Sequence, residues 1–211
     1  MRRLELLQRG HELHAIAGSA VRLEAQRSVD GARRLFRVDW APTPGSCLAS
    51  GDAAHRAVAA ASDRAAVAIG AELLGLARHL MDTTVAYAKV RAQFGQPIGS
   101  FQAVKHALAN AHLAVEFAAP AVYRAAYSLA HLPADSPERR VHASMAKARA
   151  SDAATLVTRT ALQCHGAIGY SYEHDLHLWM KRVWALSAAW GDADHHRAKI
   201  GAKFFGGEGA T

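Results

Sequence analysis

Tyr87-Ala-Lys-Val-Arg91-Ala-Gln-Phe94-Gly-Gln-Pro97-Ile-Gly-Ser100-Phe-Gln-Ala-Val-Lys-His-Ala-Leu-Ala109 reads as helix, turn, helix. Upstream of it, Ala53 to Arg91 holds no proline and few glycines. Leu73, Leu76, Leu80, Thr84 and Tyr87 recur at three- and four-residue steps, which places one apolar stripe along a long helix. Phe94-Gly95-Gln96-Pro97-Ile98-Gly99 closes that helix, because glycine supplies the turn and Pro97 cannot continue it. Ser100 offers an N-cap hydroxyl to a second helix over about 101–130, with Pro120 inside it as a candidate kink.

The helical period continues to the C-terminus. Leu132-Pro-Ala-Asp-Ser-Pro137 is a loop, and a third helix follows from Pro137 to Cys164. His165-Gly166 stops it, and Gly169 keeps the next loop tight. A fourth segment spans about 173–189, Gly191 interrupts it, and a short last helix ends near Phe204. The expected fold is mainly α: a four-helix up-and-down bundle over 51–205, with a flexible Gly-rich tail over 206–211.

Residues 1–50 read differently. Val21–Gln26 and Leu35–Trp40 alternate apolar and polar, with Ser28-Val-Asp-Gly31 between them as turn residues. That is a hairpin pattern, with Gly31 available for a positive φ. His11–Ala17 fits a strand or a short helix, and Pro42–Ser46 breaks the pattern. Two or three strands do not make a stable sheet alone, so this N-terminal part is a β appendage or the remainder of a β domain.

Composition excludes several classes. The chain has 211 residues, 51% of them hydrophobic and 20% charged, which is globular rather than disordered. No apolar run approaches the ~18–20 residues of a membrane span, and Met1-Arg2-Arg3-Leu4-Glu5 lacks the apolar core of a signal peptide. Cys47 and Cys164 are the only cysteines and fit no metal spacing, so the cytoplasm is the expected location. A net charge of +7 suits an anionic partner such as a phosphate cofactor or a CoA ester. The basic residues are scattered and form no block of the kind that binds nucleic acid.

Two constellations can carry chemistry. Arg91 at a helix end, beside the Phe94–Gly99 turn, can present its guanidinium with backbone N–H groups to a phosphate. The same residues also describe an ordinary helix C-terminus with a solvated Arg. In Gln163-Cys-His-Gly166-Ala167-Ile-Gly-Tyr170, Gly166 and Gly169 permit close approach of a ligand or of another backbone. No strand precedes this run and its spacing is not the dinucleotide fingerprint. Thirteen histidines include His174 and His177 on one helix face, but spacing fixes no third ligand and no metal site is assigned. No nucleophile elbow is present.

The Tyr87–Ala109 run resembles the helix–turn–helix of the acyl-CoA dehydrogenase C-terminal domain. Gln163–Tyr170 and its continuation Ser-Tyr172-Glu173-His-Asp-Leu-His177 resemble that family's second hallmark. Lys181-Arg182 and His196-Arg197 fall at its later motifs. The resemblance covers about 52–205, and 18–50 resembles the last strands of the family's middle β domain. The branch it is most similar to acts on steroid side chains and other unusual acyl-CoA esters.

What the resemblance implies is FAD-linked α,β-dehydrogenation of an acyl-CoA thioester. A carboxylate takes the α-proton, the β-hydrogen passes to the flavin, and hydrogen bonds to the thioester oxygen acidify the α-carbon. Arg91, Phe94 and Gln163 match positions that reach a neighbouring subunit's flavin, and Gly166 and Ala167 match a close-approach loop. Tyr170, Tyr172 and Glu173 follow where the family lines its acyl or CoA channel. The usual base position reads Trp190, which cannot take a proton. The alternative base position reads Ala65, with Asp63 and Glu72 nearby and Asp63 the weak candidate. Where relatives bind FAD within their own subunit, this chain has Asp192 and Asp194, which repel a diphosphate. The resemblance therefore implies an accessory subunit that pairs with an acyl-CoA dehydrogenase partner in a homo- or hetero-oligomer. The alternative is a non-catalytic remnant that self-associates without flavin.

Overall fold

The computed structural model describes residues 4–206. The expected flexible tail beyond Gly206 lies outside the described residues. The chain forms two compact units, Met1–Ser62 and Asp63–Thr211.

In the first unit, five strands precede the first helix: β1 (Leu4–Arg9), β2 (Glu12–Ala17), β3 (Arg22–Gln26), β4 (Leu35–Asp39) and β5 (Cys47–Ser50). The alternation pattern predicts two or three, so β1 and β5 are the additions. A two-residue loop joins β1 to β2, with Gly10 at φ 57° and Arg9 opposite Glu12. β5 pairs with the other edge of β2, while β3 pairs with β4 as a separate ribbon. Leu23 faces Val38 and Ala25 faces Phe36 on one side of that ribbon. Its connection does not use a left-handed Gly31. Asp30 closes it instead, with Oδ1 accepting from the Ala32 N–H at 3.0 Å and its carbonyl from the Arg33 N–H at 3.1 Å. His14 of β2 is buried between Ser46 Oγ (3.0 Å) and Glu12 Oε2 (3.2 Å), which pins the proline loop before β5.

The helices are α1 (Gly51–Val90), α2 (Gln102–His131), α3 (Pro137–His165), α4 (Leu176–Ala188) and α5 (Ala193–Phe205). α4 and α5 both pack on α3 and share the fourth position of a four-helix bundle. Leu73 and Leu80 of the predicted α1 stripe are fully buried, with Thr84 beside them. Across from them the core is largely alanine: Ala111 and Ala118 from α2, Ala146 and Ala154 from α3. Small side chains permit the close helix approach seen at Gly70, where an added Cβ would lie 3.5 Å from the Ala146 carbonyl oxygen. α2 runs as one continuous helix through Pro120. Ser136 caps α3 by accepting from the Arg139 N–H, and Pro137 occupies the first turn.

Candidate functional site

Arg91 follows the last turn of α1. Its N–H donates to the Tyr87 carbonyl (2.9 Å) and its own carbonyl accepts from the Ile98 N–H (2.8 Å). Between them, β6 (Ala92–Gln93) pairs with β7 (Gln96–Pro97). Phe94-Gly95 is therefore a two-residue hairpin loop, with φ 52° and 79° at its two positions. Sequence alone predicts a simple helix end here, with Ser100 as the next N-cap. Instead Ser100 Oγ donates to the Pro97 carbonyl (2.7 Å), and Phe101 stands at the N-cap with no side-chain bond. A 3-10 turn over Ile98–Ser100 displaces the serine from the capping position. Gly99 is required by packing, since a Cβ there would lie 3.0 Å from the Ala88 carbonyl oxygen.

Phe94 is 91% exposed and meets Phe101 edge to face at 6.2 Å. Arg91 is exposed too, and among the described residues its guanidinium has no ion-pair partner.

α3 ends at Gly166 (φ 62°), whose N–H donates to the Leu162 carbonyl. A 3-10 turn over Gly166–Tyr170 follows. A Cβ on Gly169 would meet His165 Cβ and Leu162 Cδ1 at 3.1 Å and Leu176 Cδ2 at 3.2 Å, so Gly169 serves packing. Gln163, Gly166 and Ala167 are exposed. The Tyr87 ring stacks on His165 at 4.3 Å, and His174 meets His165 edge-on at 4.8 Å. The ends of α1 and α3, with all five cofactor candidates, thus share one end of the bundle. His165 Nδ1 donates to the Ala161 carbonyl (2.8 Å), and burial holds its pKa below the ordinary histidine value.

A second arrangement surrounds Trp190. Trp190 and Gly191 are left-handed (φ 57° and 93°), and the indole is 56% exposed. Lys147 of α3 is fully buried, and its Nζ donates to the carbonyls of Ser187 and Gly191 (2.9 Å each) and to Ser151 Oγ (3.2 Å). Burial lowers its pKa to about 8, against the attraction of Asp192. His196 Nε2 donates to the Trp190 carbonyl (3.1 Å), and its Nδ1 lies 3.2 Å from Ser144 Oγ. Sequence spacing assigns no role to Lys147 or Ser144 and makes no triad of Ser151. The only signal is a lysine at a core position of the alanine stripe.

Asp192 caps α5 by accepting from the His195 N–H (2.8 Å), which holds its carboxyl below the usual range. Asp194 pairs with Arg197 (2.7 Å), which also pairs with Asp152. The carboxylates expected to repel a diphosphate are therefore engaged by protein donors. They line an open groove of about 530 Å³ with Arg159, Trp184 and Arg197.

Asp63 lies elsewhere. At 2% exposure it is buried on α1, and burial raises its pKa despite Lys199, Arg140, Arg139 and Arg64 nearby. Along α1 it is about 42 Å from Arg91 at 1.5 Å per residue. Glu72 is paired with Arg182 at 3.0 Å. Tyr170 and Tyr172 are exposed, and Lys181 Nζ sits 4.8 Å from the Tyr172 ring centre. Among the described residues, no three His, Cys, Asp or Glu side chains are grouped to hold a metal, and no helix is long and apolar enough to cross a membrane.

Residues 55–205 match the family model described as acyl-CoA dehydrogenase, C-terminal domain. The chain is 36% identical over 178 residues to acyl-CoA dehydrogenase IpdE2 of Mycolicibacterium smegmatis, covering 84% of this chain and 51% of that protein. It is 36% identical over 156 residues to IpdE2 of Mycobacterium tuberculosis, covering 74% and 43% respectively. It thus spans about half or less of the curated relatives it matches. In fold it is similar to a glutaryl-coenzyme A dehydrogenase–glutaryl-CoA complex, with a TM-score of 0.83, 21% identity, 92% of this chain and 50% of that one. It is also similar to the ChsE4-ChsE5 complex of Mycobacterium tuberculosis, with a TM-score of 0.80, 23% identity, 95% of this chain and 53% of that one.

Proposed function

Because the chain belongs to the acyl-CoA dehydrogenase family through its C-terminal domain, we propose that it is the accessory subunit of a heteromeric, FAD-linked acyl-CoA dehydrogenase. The substrate is an acyl-CoA thioester, and its oxidation is α,β-dehydrogenation. FAD, when bound, supplies the acceptor for the β-hydrogen. Steroid-derived or other bulky acyl groups are the favoured class, as the sequence resemblance implies.

One contrast carries this reading. The exposed end of the bundle has what a neighbouring subunit's dinucleotide needs, while the turn at Trp190 carries an indole in place of a carboxylate. The fit at the first end is physical. Arg91 has no ion-pair partner among the described residues, and a Cβ on Gly95 or Gly166 would meet nothing within 4 Å. That leaves backbone open to close approach. Arg91 binds a phosphate, Gln163 supplies an amide, and Phe94 covers a planar ring from its exposed hairpin. At the groove by α5 the fit is poorer, because Asp152 and Asp194 already hold Arg197 and Asp192 caps α5, so that Arg197 is neutralised within the chain. Trp190 cannot remove an α-proton, so the partner provides the base. Asp63 would act as base only if the substrate reached its buried carboxylate.

A second reading is a remnant that self-associates without flavin. The observation favouring it is an exposed apolar stripe on α2, with Leu113 at 53%, Phe117 at 72% and Tyr127 at 56%.

The test is co-purification with a candidate acyl-CoA dehydrogenase partner, followed by visible absorption after gel filtration. The accessory subunit retains flavin absorbance only in the complex, and Arg91→Ala lowers it. Colour in the isolated chain means a self-sufficient enzyme. Absence of a complex, with a partner that holds FAD equally well alone, sinks the proposal and favours the remnant.

A further inference from the structure

The backbone around Trp190 is set by two buried side chains from different helices. Two consecutive left-handed residues are costly for a non-glycine such as Trp190, and they persist only where neighbours fix them. Here three carbonyls of the turn and its approach are held from inside the bundle. Lys147 takes those of Ser187 and Gly191, and His196 takes that of Trp190. Gly191 at φ 93° disfavours any side chain, and a Cβ there would also push aside the exposed His195 ring, 2.4 Å away.

We infer that Lys147 and His196 form a clasp of positioning residues that fixes how the Trp190 indole is presented, and that the protonation of Lys147 sets the strength of its grip. An ammonium has three N–H donors, and Lys147 has three acceptors around it: two carbonyls and Ser151 Oγ. Each bond is charge-assisted. A neutral amine keeps two donors and loses the charge, so the turn loosens without a change of fold. The groups facing Lys147 are Ser151 from α3, the Ser187 carbonyl from α4, the Gly191 carbonyl and Asp192 carboxylate from the turn, and the His196 imidazole from α5. Those facing His196 are Ser144 and Lys147 from α3, the Trp190 carbonyl, and His195 and Lys199 from α5 itself. With Lys147 titrating at about 8, the grip is full at neutral pH and relaxes in mild alkali. That Trp190 stands at the base position rests on the proposed function, but the clasp itself does not.

The experiment uses the full chain labelled with 5-fluorotryptophan. Its four tryptophans give four fluorine resonances, and Trp190→Phe assigns the one of interest. The expected result is that this resonance shifts between about pH 6.5 and 9.5 with a midpoint near the Lys147 value. In Lys147→Met it no longer titrates and moves to the position of a solvated indole, while the other three stay in place. His196→Gln provides a second variant, which should shift the same line at pH 7 and leave the alkaline step. A Trp190 line that is flat over that range in the unmodified chain overturns the clasp, even if Lys147→Met fails to fold. So does a titration that persists unchanged in Lys147→Met. None of these outcomes depends on flavin or on a partner, so they are separable from the fate of the functional proposal.

Discussion

The Tyr87 ring lies on the imidazole of His165, with centroids 4.3 Å apart and planes 19° from parallel. This contact ties the end of α1 to the end of α3. It stands one helical turn before Arg91 and two residues after Gln163, so it holds both candidate turns at one end of the bundle. His165 is kept neutral by burial and fixed in one tautomer by Ala161, which suits a flat stack.

Tyr87→Ala should therefore cost stability and also disorder the end of the bundle proposed to meet the cofactor. An aromatic pair contributes about 0.5–1.5 kcal/mol beyond the area it buries. Urea unfolding should show a loss of about 1–2 kcal/mol, and the partner complex should release flavin more readily. Tyr87→Phe should retain both, because the ring makes the contact. Equal losses in the two variants would contradict the stacking account.

Phe94 sits at φ 52° with 91% of its surface in water. A left-handed, exposed phenylalanine costs stability, by about 1 kcal/mol relative to glycine at such a position. Phe94→Gly should raise the unfolding free energy by about that amount in the isolated chain. In the partner complex it should reduce flavin retention. Stability and function moving in opposite directions is the signature of a residue kept for its ligand. A variant that is less stable, or that binds flavin equally well, argues against that role.

Much of this was legible in the sequence because helical period, glycine and proline act locally. Leu73 and Leu80 are core where the stripe put them, and Gly166 ends α3 where a left-handed residue was needed. The features that were missed depend on tertiary contacts or on atypical conformations. Phe94 rarely adopts a left-handed backbone, so the hairpin at Phe94-Gly95 had no residue signal beyond Gly95. β1 is hidden because Leu6-Leu7 breaks the alternation of Leu4–Arg9, and the strand is defined by its pairing with β2. Lys147 could not be placed, because a lysine with carbonyl partners forty and forty-four residues away looks like a surface lysine in a one-dimensional pattern. In the sequence Asp192 and Asp194 read only as carboxylates that repel a diphosphate, because capping and the Arg197 pair appear only once α5 is built.

Asp63 offers a direct test of where the base resides. Its pKa is raised because burial outweighs the pull of Lys199, Arg140, Arg139 and Arg64. Asp63→Asn keeps the shape of the side chain and removes the cost of burying a charge while losing its attraction to those cations, and the two changes should leave stability within about 1 kcal/mol of the unmodified chain. If the partner supplies the base, turnover of the complex with an acyl-CoA should be unchanged. A loss of turnover at unchanged flavin content would move the base to this chain.

The acid limb of stability should report on His196. Its pKa is lowered to about 4, first by burial and then by Lys147, Lys199 and His195, against the opposing bond to the Trp190 carbonyl. In the unfolded chain it returns to about 6.5. Below that value the unfolded state binds a proton that the folded state refuses, so stability falls as pH drops from about 6.5 to about 4. The slope from this one group is at most about 1.4 kcal/mol per pH unit. His165 acts in the same direction, since burial lowers its pKa too, and Asp63 acts in the opposite one. His196→Gln removes the titration while keeping a donor for the Trp190 carbonyl. Urea midpoints at about pH 7 and pH 5 should therefore differ less in the variant than in the unmodified chain, by up to about 2 kcal/mol of unfolding free energy. Identical acid slopes in the two proteins would mean that His196 takes up its proton equally in the folded and unfolded states, so that burial does not hold it neutral.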